Sequence, residues 1–241
     1  MKKLRVLDTF AGIGGFSKGL DDTGGFETVA FCEIEKYPQK VLAKHWPGVP
    51  IYDDVRELTY DKLKADGITG IDIVTAGFPC QPHSFSGSRL ASKDERDLWD
   101  DLFRIVRETG AWGIFENVRG LLSSENGRYF GRILRDLASI GYDVEWMCLP
   151  ASAFGAEHLR ERIYIITYPH KAQLKGRSLS SRIQQKYSNT SHPRRGKDKP
   201  GVDRMAYDVP AQMDRLGCLG NAVCPPIPRL IGEAIMELEN E

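Results

Sequence analysis

"LRVLDTFAGIGGF", residues 4–16, decides how the chain is read. A strand-like apolar run, Leu4–Phe10, breaks into a turn with glycines at 12, 14 and 15, and a helical pattern starts at about Phe16. A strand that passes through a glycine turn directly into a helix opens a βαβ unit. The alternation then repeats. "ETVAFCE" precedes "KYPQKVLAKHW", a weak strand near "VPIYDD" precedes "ELTYDKLKADG", and "IDIVTAGF" leads through a long loop to "DLWDDLFRIVRETG". "WGIFENV" precedes "GRYFGRILRDLASIG", whereas "DVEWMCLP" and "RIYIITY" follow one another with no helix between, as an edge hairpin. The pattern predicts an α/β fold around a mainly parallel, seven-stranded sheet.

The 241 residues suit one such domain with a small appendage, and 41% hydrophobic with 27% charged residues is an ordinary globular composition. No run of eighteen apolar residues occurs, and the N-terminus enters a strand pattern without a signal-peptide stretch, so a cytoplasmic protein with no membrane partner is expected. Five scattered cysteines, with no C-x-x-C pair, predict free thiols and no metal site. The formal net charge of zero hides an asymmetry: Tyr168–Arg204 holds ten Lys or Arg against two acids, a surplus of eight balanced by the rest of the chain. Periodicity also lapses after Tyr168 into Gly, Ser and Lys-rich sequence with at most one short helix or hairpin. Such a segment suits a polyanion, and equally a solvated loop. The chain therefore divides into an α/β domain (1–167), a short basic region (168–203) and a C-terminal segment returning to the first domain (204–241), ending in a helix.

In a sheet of this type ligands bind beyond the carboxyl ends of the strands. Phe10, Ala11 and Gly12 follow the first strand, Glu33 the second, Asp54 the third, Pro79 and Cys80 the fourth, and Glu116 and Asn117 end the fifth. The glycine spacing G-x-G-G departs from the G-x-G-x-x-G of dinucleotide sites and is read either as a ligand turn or as a plain tight turn. Glu33 could take a ribose diol and Asp54 an adenine amino group, which together point to S-adenosylmethionine. In "GFPCQPHSFSG" (Gly77–Gly87), Cys80 is either a buried strand-ending hydrophobe or a nucleophile on a functional loop, its thiolate favoured by His83 or an arginine. Glu116 could donate a proton to a ring nitrogen, and Arg160 and Arg162 in "LRERIYIIT" could bind phosphate, orient that glutamate or form an edge-strand ion pair.

These stretches, in this order, resemble the DNA (cytosine-5) methyltransferase family over almost the whole chain except the basic region. "DTFAGIGGF" resembles its cofactor glycine motif, "FCEIEKYPQKVL" its ribose motif, "YDDVREL" its adenine motif and "GFPCQPHSFSGSR" its Pro-Cys-Gln motif. "FENV" resembles its Glu-Asn-Val motif, "RERIYII" its arginine motif and "RLGCLGNAVCPP" its last motif. The resemblance implies a Rossmann-like S-adenosylmethionine-dependent methyltransferase fold with a small basic target-recognition insertion. It implies Cys80, Glu116, Arg160 and Arg162 as catalytic residues. For the cofactor it implies Asp8, Phe10, Ala11, Gly12, Gly14, Gly15, Glu33, Ile34, Asp54, Val55, Gly77, Pro79, Leu98, Asn221, Ala222 and Val223. Gln81, Ser84, Asn117, Arg194 and Arg195 would contact the substrate, double-stranded DNA, with the target base flipped out under the loop from Gln81 to Leu98. A bacterial or phage-encoded monomer accompanied by a cognate restriction endonuclease is the corresponding setting. A tRNA methyltransferase of the same fold and a catalytically silent DNA-binding relative are the alternatives. His158 stands where the arginine motif of the family begins with glutamine, and the target-recognition region is shorter than restriction-modification enzymes have, which predicts a short or relaxed site read over strong phosphate contact.

Overall fold

A computed structural model describes residues 2–79, 97–156, 159–170, 178–189 and 221–239. Its sheet has seven strands in the order β3-β2-β1-β4-β5-β7-β6, formed by β1 (Leu4–Thr9), β2 (Phe26–Cys32), β3 (Ile51–Tyr52), β4 (Ile73–Ala76), β5 (Trp112–Val118), β6 (Tyr142–Pro150) and β7 (Glu161–Pro169). The first five run parallel; β7 pairs antiparallel with both β5 and β6, and the β6–β7 pair is the expected edge hairpin. Chain order reverses between β1 and β4, which opens a crevice over the carboxyl ends of β1, β2, β4 and β5. The central strands are buried on both faces, β4 at all four positions, so they read as continuous apolar runs and not as alternation.

The helices between strands are α1 (Gly15–Asp21), α2 (Lys36–His45), α3 (Tyr60–Ala65), α4 (Trp99–Thr109) and α5 (Arg128–Ser139), followed by α6 (Leu179–Asn189) and α7 (Pro226–Glu239). One core layer lies under α3, α4 and α5, around the wholly buried Trp99, whose indole N–H donates to Asp136 over 2.8 Å. The other layer packs Leu20 of α1, Ile183 of α6 and Ile231 of α7 with Val6, Ile73, Ile114 and Tyr164 of β1, β4, β5 and β7. No helix among the described residues is long and apolar enough to cross a membrane.

Part of the basic stretch is built into this second layer. Leu179 and Ile183, one helical turn apart on α6, are wholly buried, each contributing about 1.5–3 kcal/mol of apolar burial. The carboxylate of Glu145 on β6 accepts the first amides of α6, Leu179 N at 3.0 Å and Ser180 N at 2.8 Å, and also the Tyr168 hydroxyl at 2.7 Å. Lys186 pairs with Glu237 of α7 at 2.6 Å.

Two glycines bring the C-terminal segment against α1. A Cβ on Gly15 would stand 2.4 Å from the Val223 carbonyl oxygen, and one on Gly19 would stand 2.2 Å from that of Pro225. Both obstacles are backbone, so neither yields by a rotamer change. Gly15→Ala is expected to destabilise the fold by about 1–3 kcal/mol in urea denaturation; an unchanged midpoint would show that Val223 does not pack there.

Candidate functional site

The crevice holds one cavity of about 470 Å³ that runs from the glycine turn to the end of β5. At its first end β1 leaves the sheet through Phe10, held at φ 51°, into Gly12 at φ 53° and Gly14 at φ 84°. Left-handed backbone is natural for glycine and strained at Phe10, whose placement depends on its surroundings. Among the described residues nothing lies within 4 Å of a Cβ added to Gly12, so the turn presents bare backbone to the cavity.

Glu33, just past β2, binds two backbone amides through its carboxylate: Gly12 N at 2.7 Å and Glu35 N at 2.8 Å. Burial pushes this carboxyl above its usual range, against the pull of those amides. Beside it the Ile34 side chain is 59% exposed on the cavity wall. Asp54 receives the amide of Arg56 at 2.9 Å and its guanidinium at 2.6 Å, and this pairing holds the Asp54 carboxyl below its usual value. Asp53, a second acid on the wall, is met by Lys36 at 2.8 Å and Gln39 at 2.6 Å.

The far end is built from β5 and β7. Their register sets Glu116 opposite Tyr164 and Val118 opposite Arg162, so Glu116 and Arg162 are diagonal neighbours on one face. Arg162 Nε stands 3.0 Å from Glu116 Oε1. Among the described residues no donor is well aligned on that buried oxygen, so Arg162 meets it as an ion pair. Burial pushes the Glu116 carboxyl above its usual value, opposed by Arg162 and Arg160. Arg160 precedes β7 at φ 28°, a backbone strain placed directly on the cavity wall. Between the two ends, Gly77, Phe78 and Pro79 lead out of β4 along the wall, and the side-chain amide of Asn117 donates to the Phe78 carbonyl over 3.0 Å. Leu98 lines the same cavity ahead of α4, next to Asp97, which is held by the Tyr129 hydroxyl at 2.6 Å and Arg132 at 2.9 Å.

The structure thus brings most of the expected residues together. Phe10, Gly12, Glu33, Ile34, Asp54, Val55, Gly77, Pro79, Leu98, Asn221 and Ala222 all line the cavity, as do Glu116, Asn117, Arg160 and Arg162. Ala11, Gly14, Gly15 and Val223 stand behind the wall: Ala11 packs on Phe31 and Leu42, Gly14 under the Trp46 ring, and Gly15 against Val223. Asp8 also does not reach the cavity; it is wholly buried and bonded to Ser17 and Thr75. Cys80, Gln81, Ser84, Arg194 and Arg195, together with His83 and His158, lie outside the described residues. The wall also includes Cys32, Pro38, Arg56 and Val118, which lie inside the quoted motifs but are given no role by them, and Phe78, beside Gly77 just past β4.

Comparison with known proteins agrees with this geometry. A family model described as C-5 cytosine-specific DNA methylase matches residues 4–204. The Type II methyltransferase M.HgiBI of Herpetosiphon aurantiacus is 36% identical over 180 residues, which is 73% of this chain and 40% of that protein. M.NgoMIV of Neisseria gonorrhoeae is 36% identical over 162 residues, 66% of this chain and 50% of that protein. The chain therefore spans half the length of these curated relatives or less. Among solved structures, a candidate DNA modification methyltransferase encoded within an E. coli prophage superposes with a TM-score of 0.62 at 26% identity, covering 72% of this chain and 49% of that one. The S. pombe Dnmt2 methyltransferase shares the fold, with a TM-score of 0.60 at 20% identity over 82% of this chain and 58% of its own. By motif order, cavity and the match over residues 4–204, this chain belongs to the C-5 cytosine-specific DNA methylase family.

Proposed function

We propose that this chain transfers a methyl group from S-adenosylmethionine to C5 of cytosine in double-stranded DNA. The observation that carries the reading is the continuity of the cavity: Glu33, Ile34 and Asp54 stand at one end, Glu116 and Arg162 at the other, and Pro79, the residue before Cys80, lies between. The donor set fits the cofactor. Bare backbone at Gly12 receives a close ligand, the Glu33 carboxylate retains acceptor capacity for a ribose diol, and the exposed Ile34 offers an apolar face to an adenine. When bound there, S-adenosylmethionine supplies the methyl group in electrophilic form.

The protein's own chemistry prepares the cytosine. Cys80, as thiolate, bonds to C6 while Glu116 delivers a proton to N3, and the ring electrons moved by this addition make C5 nucleophilic. Burial suits Glu116 to that task, since a raised pKa enlarges its protonated fraction near neutral pH. Arg162 and Arg160 hold the carboxyl in place and stabilise its ionised form after the proton has left. The C5 electron pair then takes the methyl group, whose bond to the sulfonium breaks to leave a neutral thioether; loss of the C5 proton to a base and expulsion of the Cys80 thiolate return the aromatic ring, and N3 gives its proton back to Glu116. Because C6 is covered in a stacked duplex, the target base must leave the helix to reach this cavity.

The basic stretch supplies affinity for phosphate, with a short or relaxed recognition site as its corollary and a cognate restriction endonuclease as the expected partner of the monomeric enzyme. Arg194, Arg195, Lys197 and Lys199 are the densest basic cluster of the stretch in the sequence. Replacing Arg194, Arg195, Lys197 and Lys199 together by glutamine is expected to weaken DNA binding and to flatten its log–log salt dependence by up to about 0.9 per lost phosphate contact. An unchanged slope would show that this stretch does not touch the backbone. Methylation followed by bisulfite sequencing tests the site: modification restricted to one strict six-base sequence would refute the relaxed reading.

A further inference from the structure

Asp8 belongs to the glycine motif, yet its side chain is wholly buried behind the cavity wall. Its carboxylate joins three elements. Thr75 Oγ1 on β4 donates to Oδ1 over 2.6 Å, and Ser17 Oγ on α1 donates to Oδ2 over 2.7 Å. Ser17 and Thr75 are wholly buried as well, and Thr9 adds a second tie from β1 to the Thr75 carbonyl at 2.8 Å.

What α1 carries gives this junction its importance. Its N-terminal end is the end of the glycine turn, with Gly14 as a left-handed cap that has no side-chain hydrogen bond. Its Gly15 and Gly19 seat the carbonyls of Val223 and Pro225, immediately after Asn221 and Ala222 on the cavity wall. The two walls converge at Gly77, where an added Cβ would meet Phe10 O and Val223 Cγ2 at 3.8 Å each. A displacement of α1 therefore moves both walls of the cofactor half of the cavity at once, whereas Glu116 and Arg162 are carried by other strands.

We propose that Asp8 is a positioning residue that sets the width of the cofactor cavity by fixing α1 to β1 and β4 through the hydroxyls of Ser17 and Thr75. The inference rests on the cofactor reading above. Burial pushes the Asp8 carboxyl up to about 6, so near neutral pH its ionised form is disfavoured by the fold it occupies. Asparagine can span the same two hydroxyls, its amide oxygen accepting from Ser17, whose backbone N–H also points at Oδ2 over 3.4 Å, and its amide nitrogen donating to Thr75.

The test is calorimetric titration of S-adenosylhomocysteine into the full chain, its Asp8→Ala, Asp8→Asn, Ser17→Ala and Thr75→Val variants, each paired with urea denaturation at pH 7.5. Asp8→Ala and Ser17→Ala are expected to bind at least about 10-fold more weakly, the usual effect of removing a group that orients a ligand-bearing element. Asp8→Asn is expected to recover most of that loss with a urea midpoint no lower than wild type, and affinity for unmethylated DNA is expected to stay unchanged in all of them. Should Asp8→Ala not fold, Ser17→Ala and Thr75→Val decide the matter. Variants that bind the ligand like wild type, or that lose affinity only in proportion to lost stability, overturn the inference alone. A folded wild-type chain that does not bind S-adenosylhomocysteine overturns the cofactor reading and this inference with it.

Discussion

Glu116→Gln is expected to lower methyl transfer by about 10²–10⁴-fold, the range for removal of a positioned general acid, while cofactor affinity stays within a few-fold of wild type. Glutamine keeps the shape of the side chain and its place opposite Tyr164, but it has no proton to deliver to N3. The proposed cofactor contacts lie at the other end of the cavity, so a loss confined to turnover separates chemistry from binding. Stability is expected to respond with the opposite sign. The folded pKa of Glu116 lies above its unfolded value, so the protonated form is favoured in the fold, and stability contributed by this group is lost as pH rises through the raised pKa. The glutamine variant escapes that loss, although Arg162 then faces an amide in place of a carboxylate. Relative to wild type, its urea midpoint is expected to improve from acidic to neutral pH. A variant that turns over normally would remove Glu116 from the mechanism.

Cys80→Ser is expected to have the larger effect, on the order of 10⁴–10⁶-fold on turnover, as for loss of an enzymatic nucleophile. A serine hydroxyl is scarcely ionised near neutral pH and cannot add to C6 as a thiolate does. The diagnostic substrate is DNA with 5-fluorocytosine at the target. After methylation the fluorine at C5 cannot depart as a proton does, so Cys80 remains bonded to C6 and a complex stable in denaturing gels accumulates when S-adenosylmethionine is present. Wild type is expected to give that complex and Cys80→Ser none. A complex that forms equally well with the serine variant would place the nucleophile elsewhere.

Much of this was legible in the linear sequence because its signals are local. "WGIFENV" forms β5 over Trp112–Val118, and the lack of a helix between "DVEWMCLP" and "RIYIITY" announces the β6–β7 hairpin. The ends of successive strands collect on one rim by the geometry of βαβ units, which is why Glu33, Asp54 and Glu116 could be named as a group before any contact was visible. Long-range facts were not legible. The pairing of Glu116 with Arg162 depends on the antiparallel register of β5 and β7, which no spacing in the sequence encodes. The stretch holding α6 allows at most one short helix or hairpin in the sequence, but that Leu179 and Ile183 are wholly buried was not legible there. Asp8 belongs to a motif of which Phe10 and Gly12 line the cavity, and only the hydroxyls of Ser17 and Thr75, nine and sixty-seven positions away, show that it turns inward. Val118 looks like an ordinary strand residue until the cavity exposes one wall to it.

The most direct test is methyl transfer itself. The purified chain is incubated with S-adenosylmethionine carrying a labelled methyl group and with unmethylated double-stranded DNA or tRNA in parallel, and the modified nucleoside is identified after digestion. The proposed function predicts label in 5-methylcytosine from the DNA, absent with Cys80→Ser. A folded chain that binds both cofactor and DNA yet leaves every cytosine unlabelled, or one that labels only the tRNA, would contradict it.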